Sequence, residues 1–409
     1  MIALALLGCA PFSNPSPADT AAPAAPAWGA ERRLDAPAPQ DDARFGGALA
    51  GVGDVDGDGH DDLLIGAPEH GDQQGAAWLY RGPELTDVAS VTPPDASAGQ
   101  RFGHRLSRAG DLDGDGYQDA LATALADSDA ANLAGAVYLF FGGAEGLTRS
   151  EKRSSPEPAS GAGYGFALAA LGDWDGDGRD DFAAGDPYGD AARSGAVDLY
   201  YGDDPDPVRL RPEGLTGEEN VGYSLVALSA PEGLVAGGLW TLPAAWRFPG
   251  EDPGAPALLP LETDPAATVR SPAAAADMDG DGYDELLTIG EPALFPGSPD
   301  GPTSPGVSVP LADGVVEIRQ AMFLPDADGD GVLELLLANH QSISPLPDRG
   351  GRAWLHPSGG EPVELEPVGG DPTACFGDGL TAAGAWVVVA DTCQERGAGA
   401  VYLFSTPTL

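Results

Sequence analysis

Apolar residues along this chain gather in short runs bounded by Gly, Pro or Asp. One kind of run ends in Gly-x-Pro: Leu63-Leu64-Ile65-Gly66-Ala67-Pro68, Phe182-Ala-Ala-Gly185-Asp-Pro187 and Leu286-Leu-Thr-Ile-Gly290-Glu-Pro292. A second kind opens on Gly: Gly75-Ala-Ala-Trp-Leu-Tyr80, Gly135-Ala-Val-Tyr-Leu-Phe140 and Gly195-Ala-Val-Asp-Leu-Tyr200. A third stands upstream of both and begins with an aromatic-Gly pair, as in Phe45-Gly46-Gly-Ala-Leu-Ala, Phe102-Gly103-His-Arg-Leu-Ser and Tyr164-Gly165-Phe-Ala-Leu-Ala. Brief apolar, aromatic and β-branched runs between turn residues predict strands. The 59 Gly and 39 Pro leave long helices nowhere to form, so the fold class is all-β.

Between the first and second runs lies a repeated polar loop, Asp-x-Asp-Gly-Asp-Gly-x-x-(Asp/Glu). It begins at Asp54, Asp111, Asp173, Asp277 and Asp326, and the step from Asp173 to Asp277 is roughly double the others, which places one further repeat between them with its acidic loop lost. Gly222-Tyr-Ser-Leu-Val-Ala-Leu and Leu234-Val-Ala-Gly-Gly keep the strand pattern there, with Ser229-Ala-Pro-Glu-Gly233 in place of the aspartates. Phe376-Gly-Asp-Gly-Leu-Thr-Ala-Ala, Trp386-Val-Val-Val-Ala390 and Gly399-Ala-Val-Tyr-Leu-Phe404 form a last repeat without the loop.

These motifs, in this order, resemble the FG-GAP repeat of integrin α-subunit propellers, over nearly everything from Glu31 to Phe404. The resemblance implies four-stranded antiparallel blades around a central channel, with each acidic loop joining a blade's first two strands. Five intact and two degraded repeats give a seven-bladed β-propeller. The chain stops after the third strand of the last blade, and Arg32-Arg-Leu-Asp-Ala36 precedes the first Phe-Gly without a blade of its own. That segment is expected as the outer strand of blade seven, closing the ring and removing a loose edge; an open array is the other arrangement.

Carboxylates at positions 1, 3 and 5 of a curling loop converge on one point, and Gly at positions 4 and 6 permits the curl. Calcium, with six to eight oxygen ligands at about 2.3–2.6 Å, suits such a loop. The expected ligands are Asp54, Asp56, Asp58 and Asp62 with the carbonyl of His60; Asp111, Asp113, Asp115 and Asp119 with that of Tyr117; and Asp173, Asp175, Asp177 and Asp181 with that of Arg179. Asp277, Asp279, Asp281 and Glu285 with the carbonyl of Tyr283, and Asp326, Asp328, Asp330 and Glu334 with that of Val332, complete five structural Ca2+ sites. An EF-hand is excluded because position 12 of the first loop is Ile65, inside a strand run, so position 9 is expected to close the cage. Magnesium demands stricter octahedral geometry. The plainer alternative is that Asp and Gly merely make good turns; against it stands the repulsion of four adjacent carboxylates lacking a cation.

Charge and the ends of the chain extend the picture. With 64 Asp plus Glu against 20 Lys plus Arg, the net charge of -44 opposes binding to nucleic acid or to an anionic lipid surface. The acidity serves solubility as well as metal. Met1 to Gly8 form an apolar stretch before Cys9, and Leu6-Leu7-Gly8-Cys9 resembles a bacterial lipobox, although no Lys or Arg precedes it. That resemblance implies a lipoprotein signal peptide over residues 1–8, a lipidated Cys9, and a location in the bacterial cell envelope, on the outer membrane or cell surface. Residues 9–30 are rich in Ala and Pro and read as a flexible stalk, with the propeller over 31–409. Any membrane contact is expected through the lipid alone.

Cys375 precedes Phe376-Gly377, and Cys393 follows the run ending at Ala390. If those two strands form a hairpin, its open ends bring the sulfurs within disulfide reach, the alternative being two free thiols. Catalytic signatures are not found. His60, His70, His104, His340 and His356 are scattered without an H-E-x-x-H pattern, and there is no G-x-S-x-G elbow or P-loop. Trp78, Trp174 and Trp354 are expected to pack blade on blade, a carbohydrate-stacking platform being the alternative, and Trp174 is the odd one because position 2 of its loop tends to point outward. The chain reads as a non-catalytic, adhesion-like module for an extracellular protein or glycan. The resemblance puts the binding face opposite the acidic loops, on Glu69 to Gln74, Asp127 to Ala134, Tyr188 to Ser194 and Gln341 to Asp348. A polysaccharide-active propeller enzyme and a structural surface protein without a ligand are the alternatives.

Overall fold

The computed structural model describes residues 32–405 apart from 216, 239–243, 251, 255, 261–269, 291, 310, 312–317, 327–331, 340–350, 358–361 and 368–374. Cys9 and the residues expected as lipobox and stalk, Asp328, Asp330 and the segment from Gln341 to Asp348 lie outside the described residues.

Seven four-stranded antiparallel sheets make the seven blades of a β-propeller. Blade one runs Ala48–Gly53, Asp62–Ala67, Ala76–Arg81 and Asp87–Val91, each strand pairing with the next in sequence. The pattern recurs to blade seven, where Phe376–Ala383, Trp386–Asp391 and Ala400–Ser405 are joined by Arg32–Asp35 as the fourth strand. Leu34 lies opposite Val401 in that pair, so the first and last strands of the described chain share one sheet and the ring is closed as the sequence implied.

The core is a ring of interfaces. Seven apolar clusters each join two neighbouring blades. Strand alternation explains the division, since adjacent side chains point to opposite faces. Leu63, Ile65, Trp78 and Tyr80 face Val401 and Leu403 of blade seven, whereas Leu64 and Leu79 face Tyr138 and Phe140 of blade two. Because both faces are covered, the second and third strands are buried along their whole length in blade two, at Asp119–Ala124 and Ala136–Phe141. The aromatic of each aromatic-Gly pair fills the seam: Phe102 is fully buried edge-on to Tyr138, and Tyr164 shares a 2.6 Å hydroxyl hydrogen bond with Tyr200.

The Gly that opens each third strand sits against the next blade. A Cβ on Gly135 would lie 2.5 Å from the backbone N of Tyr164, and one on Gly399 would lie 2.1 Å from the carbonyl oxygen of Phe45. In the same seams the N–H groups of Phe45, Phe102 and Tyr164 donate to Ala398, Gln74 and Ala134 of the preceding blade. Cys375 and Cys393 form a disulfide, with Cα atoms 5.4 Å apart, at the open end of the blade-seven hairpin. Trp174 packs blade on blade as expected, although position 2 of its loop suggested an outward side chain. It is 7% exposed and packs with Val197 and Phe248 between blades three and four.

Candidate metal centres on one face of the ring

Since every blade is an up-and-down meander, all turns between first and second strands open on one face of the ring, and turns between second and third strands on the other. The acidic loops therefore share a face. Within each loop a ladder of short-range bonds makes the curl. Asp54 Oδ1 accepts from the N–H groups of Gly57 and Asp58 at 2.7 and 3.0 Å, and its Oδ2 from Gly59 at 2.8 Å. Position 5 accepts from position 7 in every loop whose residues are described: Asp58 from His60, Asp115 from Tyr117, Asp177 from Arg179 and Asp281 from Tyr283.

The curl brings carboxylates together as the spacing requires. Asp54, Asp56 and Asp58 present one oxygen each within 4.8 Å of one another, as do Asp111, Asp113 and Asp115. In the third and fourth loops the groups are Asp173, Asp175 and Asp181, and Asp277, Asp279 and Glu285. Of the fifth loop, Asp326, Val332 and Glu334 are described, and Glu334 is fully buried. The donor set is hard oxygen throughout, and Asp113 Oδ1 is a buried carboxylate oxygen that receives no hydrogen bond. An orphaned anionic oxygen among carboxylates is what an oxygen-seeking cation would satisfy, so the residues fit such an ion.

Position 9 carries a second task that its spacing concealed. Asp62 is buried with both oxygens engaged: Oδ2 accepts from Val55 N–H at 3.1 Å and Oδ1 from Gly82 N–H at 2.8 Å. Asp119 does the same with Leu112 and Gly142, Asp181 with Trp174 and Gly202, and Glu285 with Met278 and Gly297. The acid thus ties the loop to the chain just past the third strand. Burial pushes the carboxyls of Asp62 and Asp181 up to about 6 and that of Asp119 to about 7; the N–H bonds pull the other way and neighbouring aspartates add to the rise. In blade four the partner glycine survives without the acid, and Gly250 N–H donates to the Glu232 carbonyl instead.

Three further features went unread. Arg81, Arg149 and Arg179 pair with Asp56, Asp113 and Asp177, at 3.1, 2.6 and 2.9 Å. Position 8 links one loop to the next: Asp180 donates its N–H to the Asp111 carbonyl, and its carboxylate accepts the Asp111 N–H. Asp284 caps the degraded turn of blade four through the N–H groups of Ser229 and Ala230. On the opposite face a fifth acidic group, Asp95, Asp127 and Asp129, holds the Lys152 ammonium 2.7 Å from an oxygen of each. The cation there is the chain's own.

A family model for the FG-GAP-like repeat matches residues 54–122, the span from the first acidic loop into the second strand of blade two. Integrin alpha-4 of Xenopus laevis is 42% identical over 92 residues, 21% of this chain and 9% of the relative. Integrin alpha-PS2 of Drosophila melanogaster is 31% identical over 191 residues, 44% of this chain and 13% of the relative. These likenesses support an FG-GAP β-propeller. Human integrin alpha-IIb, 34% identical over 154 residues, is matched over 34% of this chain and 14% of its own length. The chain thus spans only about a tenth of these relatives, and the FG-GAP likeness bears on the repeats.

Proposed function

We propose that this chain is a calcium-stabilised FG-GAP propeller acting as a non-catalytic, adhesion-like binding module for an extracellular protein or glycan. The observation that carries the calcium reading is the convergence of hard oxygen ligands in the acidic loops, with Asp113 Oδ1 buried and lacking a hydrogen bond in the second. Asp54, Asp111, Asp173 and Asp277 begin the sites, position 3 adds a ligand in each, position 5 joins them in the first two loops and position 9, as Asp181 and Glu285, in the third and fourth, and the carbonyls of His60, Tyr117, Arg179 and Tyr283 complete them; the fifth loop is assigned the same way from its sequence. A bound ion supplies charge neutralisation that locks each rim hairpin. Similarity to integrin alpha subunits supports recognition as the use of the assembled ring. The loops from Glu69 to Gln74, Asp127 to Ala134 and Tyr188 to Ser194 join second to third strands and form the face offered to the ligand. Lipidation of Cys9 and a stalk over residues 9–30 would hold that face away from the bacterial surface.

Capture of partners from intact cells or matrix by the calcium-loaded chain tests the binding role. Enrichment of a defined protein or glycan supports it, and a blank capture favours a purely structural surface protein. Turnover of a polysaccharide panel would instead reveal an enzyme.

A further inference from the structure

On the face away from the acidic loops, the inner strands of blades two to four bring basic and aromatic side chains together. Arg105 extends from blade two toward blade three. Its Nε donates to the Phe166 carbonyl at 3.2 Å, its Nη1 to the His104 carbonyl at 3.1 Å, and its guanidinium lies 5.3 Å from the Phe166 ring centre. No carboxylate among the described residues pairs with it, in a chain that holds 64 acids. The guanidinium is therefore oriented by neutral groups and keeps its charge uncompensated.

His104, beside Arg105, is held neutral down to about 3 by burial and by Arg105, Arg101 and Arg44. Phe166 stacks on Tyr223 with ring centres 4.5 Å apart and meets Tyr188 edge-on at 6.1 Å, and Arg193 covers Tyr188 at 5.5 Å. His104, Arg105, Phe166, Tyr188 and Tyr223 each keep part of their surface uncovered, while burial weighs on the Arg105 guanidinium and the His104 ring.

We propose that this cluster, on the face away from the acidic loops, is a subsite for a carboxylated sugar, Arg105 receiving the carboxylate and the exposed parts of the Phe166, Tyr188 and Tyr223 rings lying against the C–H groups of the sugar ring. A fixed guanidinium fork suits a carboxylate geometrically. Any acidic group would use the fork; the adjacent aromatic surface favours a ligand whose acid is borne on a rigid ring with a C–H face, which an aspartate or glutamate side chain lacks. The assignment deepens the binding role proposed above and rests on it.

The test is titration calorimetry of the full chain, in excess calcium, with a glucuronate-terminated trisaccharide, its glucose-terminated counterpart and an acidic peptide. Expected is binding of the first alone, weakened at least tenfold by Arg105→Gln and partly retained by Arg105→Lys, with the thermal midpoint unchanged in both. If Arg105→Gln unfolds the chain, Tyr188→Leu carries the test and should weaken binding several-fold. No binding of the acidic sugar, equal binding of the neutral one, preference for the peptide, or undiminished binding by the variants overturns the subsite. The wider binding role falls separately, on blank capture from cells by the unmodified chain.

Discussion

Gly135 is the residue that shows most directly how the blades are spaced. Its φ of 82° is in the left-handed region, and any Cβ would meet the Tyr164 backbone of the next blade. Gly135→Ala therefore combines backbone strain with displacement of a seam and should cost more than about 1 kcal/mol, measured by urea unfolding; an unshifted midpoint would show that the seam is soft. His104 sets a pH dependence. Its folded value is depressed to about 3, so the neutral ring's contribution is complete above the unfolded value near 6.5 and is lost as pH falls through that value toward 3. In that window the unfolded chain binds one more proton, a slope of up to about 1.4 kcal/mol per pH unit. His104→Gln should remove that component, flattening the fall of stability between pH 6 and pH 4 (roughly the titrating span); an identical slope in both proteins would contradict the assignment.

At the scale of the element, a loop's charges and its position-9 acid perform separable tasks. Asp115→Asn keeps the oxygen that accepts the Tyr117 N–H but removes one negative charge, so calcium-free stability should hold while calcium stabilises less. Asp119→Asn leaves one of the Leu112 and Gly142 N–H groups without its carboxylate acceptor and should cost about 1–3 kcal/mol with or without calcium. Parallel melts in chelator and in calcium compare the two variants, and equal behaviour would merge the two tasks. The blade-seven hairpin has no such loop, and its ends are held by Cys375 and Cys393 across a separation of 18 residues. Replacing both by Ser should cost about 3 kcal/mol by chemical denaturation, the value expected for a loop of that size; no loss would make the bridge incidental. The strands, the loops and the hairpin were legible because each is written within a few residues. The Gly82 partner of Asp62, the Asp180 link to Asp111 and the Lys152 triad were not, since they join residues 20, 69 and up to 57 positions apart. For Trp174 the loop position suggested an outward side chain against the blade packing also expected of it, and the neighbouring blade, invisible to local spacing, covers it.

For the whole molecule, the ring makes stability a property of seven interfaces closed by Arg32–Asp35 in the last blade. The faces between blades are apolar and the acidic loops crowd one rim, so without cations their carboxylates would repel one another around that face. A ligand that binds only the folded state stabilises it by RT ln(1 + [L]/Kd), about 2.7 kcal/mol per independent site at 100 times Kd. Links such as Asp180 to Asp111 place neighbouring loops in contact. The direct measurement is scanning calorimetry of the full chain across a series of buffered free-calcium concentrations, with a chelator sample as the origin. The expected result is a thermal midpoint that climbs with the logarithm of free calcium and returns to its starting value when chelator is added back. Superimposable endotherms at every calcium concentration would contradict a calcium-stabilised propeller.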